Sequence, residues 1–412
     1  MTGLPCARCA CHSLLGAAVF ALAAALTPSA AQADSDPAPE AADAGFHFQA
    51  VYKTDLLHGL SRQAGRHTYF LGNLDLKLTW QGKPIDVRTT RALVHLLSNH
   101  GDKPNERIGT AQGVSNIETP VNTSKVYQAW IEQGLCGDQL ALLVGLLDLN
   151  SEFYVTDSSA LFIHPAFGIG SELGQTGRNG PSIFPTTSAA VRARLRLGSG
   201  YLQAALFDGV PGDPNNRRGT HVHFDKGDGV LQIVEAGIGL EQDKLPGKLA
   251  LGGWRYSARF DDQTDLDAAG TPVKRRDRGV YLLLDVPLLV IDAAAGRGLN
   301  AFLRAGSANP DINPFRYAVD AGATLRGPFA SRPDDAIGIG FAYERNSRKF
   351  RDLAIAAGER PIRGEVAVEM DYRAQVMPWL VLQPNLQYLR HHGDSAGTMG
   401  WLAGLRVEIA LP

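Results

Sequence analysis

The chain has 412 residues, 44% of them hydrophobic and 20% charged, with 45 glycines and 23 prolines. That apolar content, together with a formal charge of −2, excludes a disordered chain, and glycine shows no collagen-like three-residue period. Lys and Arg total 40 against 42 for Asp and Glu, which argues against a nucleic-acid binder.

The first element is a targeting segment. Leu14–Leu26 is an apolar run of signal-peptide length, too short for a membrane-spanning helix. Ala31-Gln32-Ala33 supplies the small-x-small cleavage pattern. Residues 1–33 are therefore expected to be a signal peptide, 34–45 a short periplasmic segment and 46–412 a single β-barrel. Cys6, Cys9 and Cys11 precede the cut, so their spacing is not read as a metal or redox site. Cys136 is read as a turn residue.

No later segment offers about 18 uninterrupted apolar residues, the length a membrane helix needs. Instead the chain alternates with period two, which a helix does not keep. Phe70, Leu74, Leu76, Leu78 and Trp80 alternate with Asn73, Asp75, Lys77 and Thr79. Trp254, Tyr256, Ala258 and Phe260 alternate with Arg255, Ser257 and Arg259. Val366, Val368, Met370 and Tyr372 alternate with Glu369, Asp371 and Arg373. About sixteen such segments are predicted, near 46–53, 66–80, 87–98, 124–133, 139–148, 188–197, 201–208, 229–241, 248–260, 278–291, 298–306, 316–326, 336–345, 364–376, 379–390 and 400–411. Segments 139–148 and 278–291 are apolar on both faces, so the pattern does not orient them.

Short turns, such as Gly198-Ser199-Gly200 and Met377-Pro378, alternate with the longer loops Asn99–Thr123, Leu149–Thr187, Gly209–Asp228, Asp261–Asp277 and Asn346–Arg363. An even strand count with turns at one end and loops at the other predicts an all-β transmembrane antiparallel barrel of the outer membrane. Only a closed barrel pairs every backbone group of a spanning sheet in lipid. Sixteen strands leave an aqueous lumen.

Taken together and in order, several stretches resemble the carbohydrate-selective porin (OprB) family. They are Gln112–Glu118, Tyr127–Gln133, Val144-Gly145, Phe167-Gly168, Phe207-Asp208-Gly209, Glu235-Ala236-Gly237, Gly327-Pro328-Phe329, Arg332–Asp335 and Pro378–Tyr388. The resemblance spans nearly the whole chain after the signal segment. It implies a sixteen-stranded outer-membrane barrel that passes glucose and related sugars by diffusion. It also favours folding of Leu149–Thr187 into the lumen, with Asn99–Thr123 as a second narrowing segment. Two departures stand out. The chain ends Ala410-Leu411-Pro412 rather than in an aromatic residue, and Leu149–Thr187 contains no Trp.

Candidate pore-lining residues follow from the alternation. Arg192, Arg194 and Arg196 share one face of a strand and are expected in the lumen, because an arginine facing lipid costs about 2–4 kcal/mol. Guanidinium groups fork onto sugar, carboxylate or phosphate oxygens, and an ion-pair ladder is the competing role. Glu132, Glu235, Glu365, Glu369 and Asp371 are the candidate partner acids. Trp130 and Glu132 share the face opposite Tyr127 and Ile131, where Trp130 would offer a plate to a sugar ring. Asp75, Lys77 and Arg255 complete the lumen set. Trp80, Trp254, Trp379 and Trp401 are expected in the interfacial girdle or on the lipid face. His221 and His223 form an i, i+2 pair with no third ligand evident, so no metal site is expected. No catalytic constellation or cofactor motif emerges. The expected partners are mono- and disaccharides, outer-membrane lipids and the insertion machinery. The competing function is a less selective, anion-preferring porin.

Overall fold

The computed structural model describes residues 44–61, 66–85, 88–242, 245–392 and 400–411; the signal segment lies outside them. The strands are β1 (Gly45–Gly59), β2 (Thr68–Ile85), β3 (Arg88–Gly101), β4 (Thr123–Leu135), β5 (Leu140–Leu147), β6 (Ser188–Leu197), β7 (Gly200–Asp208) and β8 (Val230–Gln242). They continue with β9 (Leu245–Leu266), β10 (Pro272–Asp292), β11 (Arg297–Ala308), β12 (Phe315–Arg326), β13 (Ala336–Asn346), β14 (Gly364–Met377), β15 (Leu380–His392) and β16 (Gly400–Leu411). Each pairs antiparallel with its sequence neighbour, and β1 closes the sheet on β16 from Ala50↔Leu411 to Gly59↔Leu402. All sixteen expected segments correspond to strands.

Hydrophobic side chains cover the outer surface. Val144, Val191, Leu251 and Ile339 are each more than half exposed, the reverse of a water-soluble sheet. Trp379 and Trp401 also face outward, and Phe46 meets Trp80 at 6.5 Å between ring centroids. Charged and amide side chains point inward and are mostly buried there, among them Asp55, Glu235, Asp285, Arg304, Glu369 and Gln387.

Three local readings need correction. The expected loop Asp261–Asp277 is largely strand, and β9 and β10 turn only at 267–271. Cross-strand ion pairs hold this hairpin together: Lys274 lies 2.6 Å from Asp261, and Arg275 pairs with Asp262. Trp254 is buried against the lumen cluster rather than in the girdle. Its neighbour Arg255 accordingly lies on the outer face, exposed and bonded to Gln232 at 2.7 Å. Period two reveals which residues share a face, and near the external rim the apolar face is the inner one. Finally, a register shift between β3 and β4 lets Tyr127 point inward, off the outward face it shares with Ile131 under strict alternation. Tyr127 is buried and donates to Asp148 at 2.6 Å.

Candidate functional site: a lumen narrowed by two loops

The segment between β5 and β6, residues 148–187, runs inside the barrel as loop L3. It contains short 3-10 turns at Leu149–Ser151, Ser158–Leu161 and Pro165–Phe167. A single α-helical turn, α2 (Ser171–Gly174), follows. The segment between β3 and β4, residues 102–122, enters as loop L2 with helix α1 (Pro104–Ile108). The loops meet where Asn116 N–H donates to the Ile163 carbonyl at 2.8 Å.

A loop inside a barrel loses water from its own peptide groups, so each needs a new partner. The wall supplies them. Glu235 on β8 accepts from Tyr154 N–H at 3.1 Å, and Asp285 on β10 accepts from Ser158 N–H at 2.8 Å. Glu369 on β14 accepts from Ile163 and His164 N–H at 2.9 and 3.0 Å. Glu365 on β14 does the same for Ala111 and Gln112 in L2 at 2.9 and 3.2 Å. Arg304 on β11 acts in the opposite sense. It donates to the carbonyls of Phe167 and Gly168 at 2.7 and 2.9 Å, to that of Ala166, and to Asp320 at 3.0 Å. The Arg304 guanidinium stays charged, and hydrogen bonds from an ionised donor are about twice as strong as neutral ones, which suits it to fixing a loop.

Apolar packing fills the rest. Phe153, Tyr154 and Leu173 of L3 join Leu143, Trp254, Tyr256, Tyr281 and Leu283 of the wall. Nearby, the tilted rings of Phe162 and Phe167 lie 4.5 Å apart between centroids and meet Phe302, with Val114 and Ile117 of L2 in the same cluster. This explains why β5 and β10 read as apolar on both faces. Their outer residues, such as Val144 and Val280, meet lipid, while Leu143, Tyr281 and Leu283 meet L3.

The side of the lumen with partly exposed charge is formed by β2 to β6. His95 Nε2 lies 2.8 Å from Asp75, and Lys77 follows on the same face. Arg192 Nη2 contacts Glu132 at 2.7 Å and Glu152 of L3 at 3.0 Å, while Arg91 Nε reaches Glu132 at 3.6 Å. The Arg194 guanidinium lies over the Tyr201 ring, 5.0 Å from its centroid, and Arg196 is exposed toward the β6–β7 turn. Below L3 a vestibule of about 840 Å³ is lined by Asp157, Thr324, Arg326, Arg373 and Gln375.

The candidate residues therefore divide. Asp75, Lys77, Arg194 and Arg196 keep partial or full exposure on the inner wall, whereas Arg192 and Glu132 are buried in their ion pair. Glu235 and Glu369 are buried behind L3 and hold its backbone, so they do not line the open passage. Arg255 is outside the barrel. Trp130 faces inward, but its ring packs against the L3 cluster rather than standing free as a plate. Alternation did not single out Arg304, Asp285, Glu152 or Arg91: Asp285 lies in the segment 278–291, apolar on both faces, and Glu152 belongs to a loop with no period. In an external loop, Asp213 joins His221 and His223, their ligand atoms lying within 4.8 Å of one another. Asp213 is the third group, which the i, i+2 spacing of the two histidines does not reveal. Arg217 and Arg218 lie between Asp213 and His221 in the chain, and His221 Nε2 is engaged by the Arg218 carbonyl at 2.7 Å.

A closed sixteen-stranded barrel, oily outside, with two loops folded into a charged lumen, defines an outer-membrane porin. The chain belongs to the OprB family of carbohydrate-selective porins, whose family model matches residues 83–411. Porin B of Pseudomonas aeruginosa is 25% identical over 393 residues, covering 86% of this chain and 85% of that protein. The high-pH structure of Pseudomonas putida OprB aligns with a TM-score of 0.76 at 19% identity, over 89% of this chain and 94% of that one. OmpT, an outer-membrane protein of Vibrio cholerae, shares the fold at 11% identity and a TM-score of 0.53, over 90% of this chain and 100% of that one.

Proposed function

We propose that mono- and disaccharides diffuse through the passage between L3 and the inner wall of β2–β6, selected by weak contacts with Arg194, Arg196, Arg192, Glu132, Asp75 and Lys77. The observation that carries this reading is the partial exposure of Arg194, Arg196, Asp75 and Lys77 on the inner wall, around the buried bridge of Arg192 to Glu132 and Glu152, which leaves both donors and acceptors within reach of a solute. Guanidinium N–H groups donate to sugar oxygens, and carboxylates accept from sugar hydroxyls. Every contact must stay weak, because a tight site would block flux. Secretion with cleavage after Ala33, and insertion into outer-membrane lipid by the barrel-insertion machinery, belong to the same reading.

Liposome swelling with a panel of mono- and disaccharides tests it. Swelling by glucose-sized sugars that slows in Arg194→Gln and Glu132→Gln supports selection at this wall. The alternative is a less selective, anion-preferring channel, favoured by the three arginines. Strong anion preference in planar-bilayer reversal potentials, with no block by glucose, would decide for it.

A further inference from the structure

The outer wall carries a cluster that solute passage does not use. On β9 the outward row runs Leu251, Gly253, Arg255, Ser257, Arg259; on β10 it runs Leu282, Val280, Arg278 and, past a register shift, Arg276. The register sets Arg278 opposite Arg255 and Arg276 opposite Arg259, so four exposed arginines occupy two directly facing cross-strand pairs. Like charges so placed repel one another and weaken the sheet. Among the described residues no carboxylate forms an ion pair with any of the four. The nearby acids are already engaged: Asp261 with Lys274 at 2.6 Å, and Asp311 with Arg275 at 3.5 Å and Lys349 at 3.1 Å.

The cluster sits at the loop-bearing end of the barrel, where the lipid-facing surface ends. Beside it lies a groove of about 1550 Å³ across the outer faces of β6 to β11. Ala193, Ala204 and Gly253 leave it hollow; Val191, Leu206 and Val234 give it apolar walls; and Arg255, Arg276 and Arg278 line its charged end. A surface that is apolar at acyl depth and cationic at headgroup depth matches an anionic amphiphile. Guanidinium forks fit phosphate oxygens in particular.

We propose that this groove binds a phosphorylated glycolipid of the outer leaflet, with its phosphates held by Arg255, Arg259, Arg276 and Arg278 and its acyl chains lying on the apolar walls. The ligand relieves the repulsion between the arginine pairs. A second copy of the chain, meeting this face about a two-fold axis, would set arginine against arginine instead.

Native mass spectrometry of the detergent-solubilised protein with added lipid A provides the test. Bisphosphorylated lipid A should be retained by the wild-type chain about tenfold or more better than its dephosphorylated form. The combined Arg255→Gln, Arg259→Gln, Arg276→Gln, Arg278→Gln variant should lose that preference while keeping the heat-modifiable gel mobility of a folded barrel. Equal retention of both lipids by the wild-type chain overturns the proposal without recourse to any variant. So does undiminished preference in the folded variant, or a loss of oligomers rather than of lipid.

Discussion

Nη2 of Arg192 on β6 lies 3.0 Å from Oε1 of Glu152 in L3, a contact that joins the barrel wall to the inward loop at the edge of its wet side. The same nitrogen reaches Glu132 at 2.7 Å, so one cation holds two acids together. Arg192→Met leaves those acids facing each other inside the lumen. Loss of one member of a largely buried ion pair should cost about 2–4 kcal/mol locally. The expected result is faster hydrogen exchange at the start of L3 and a reversal potential shifted toward cations.

Arg304 is the main donor to L3 carbonyls from the wall, and it is fully buried with Asp320. Arg304→Met strands the carbonyls of Ala166 and Phe167 along with one carboxylate, while Gly168 keeps its bond from Asn150 Nδ2 at 3.0 Å, a loss of about 3–5 kcal/mol. L3 should then be cut by external protease while the barrel stays intact. Arg304→Lys should rescue only in part, because a single ammonium cannot fork across three carbonyls and an acid. Protease resistance equal to wild type in the Met variant would remove Arg304 from this role.

Two wall glycines mark where the loop presses against the barrel. A Cβ at Gly340 would meet Phe167 Cζ at 2.5 Å, and one at Gly306 would collide with Glu172 Oε1. Phe167 is wedged between Phe162 and Phe302 and has nowhere to move. Gly340→Val should therefore displace this part of L3, at the cost of about 1–3 kcal/mol typical of overpacking. Single-channel recordings should show an altered conductance with greater open-channel noise.

Burial, with Asp320 nearby, pushes the Glu172 carboxyl of L3 up to about 7. It accepts from Tyr154 Oη at 2.9 Å through one oxygen, and the other has no partner. A raised acid is held protonated more firmly in the folded loop than in an opened one, so its contribution is greatest at low pH. It falls as pH climbs from about 4.5 to about 7 and is flat above that. Hydrogen exchange in L3 should quicken over this window in the wild-type chain. Glu172→Gln mimics the neutral acid and should flatten the difference, with the variant the more protected near pH 8. Parallel pH profiles in both chains would exclude Glu172 as the titrating group.

The strands, their number, and the alternation of turns and loops were legible in the sequence because period two is a local property. Lipid and water sort the two faces of any strand that crosses a membrane. Val366–Val376 states its outward row without reference to any other segment. The same alternation assigned Arg192, Arg194 and Arg196 to the lumen, since no arginine of a spanning strand tolerates the acyl region.

Only the closed structure decided what the inward charges do. Glu369 and Glu235 carry the same alternation signal as Glu132, yet they hold L3 backbone while Glu132 pairs with Arg192 and Arg91. The difference is the path of a loop 81 positions from Glu235 and 206 from Glu369 at the points of contact, which no strand pattern encodes. The reversed faces at Trp254 and Arg255 have a related cause. Above the lipid, L3 becomes the apolar neighbour of the wall, so the hydrophobic face turns inward and the arginines turn out. Sequence periodicity reports a contrast between two faces, and the surroundings assembled by folding determine which medium each face meets.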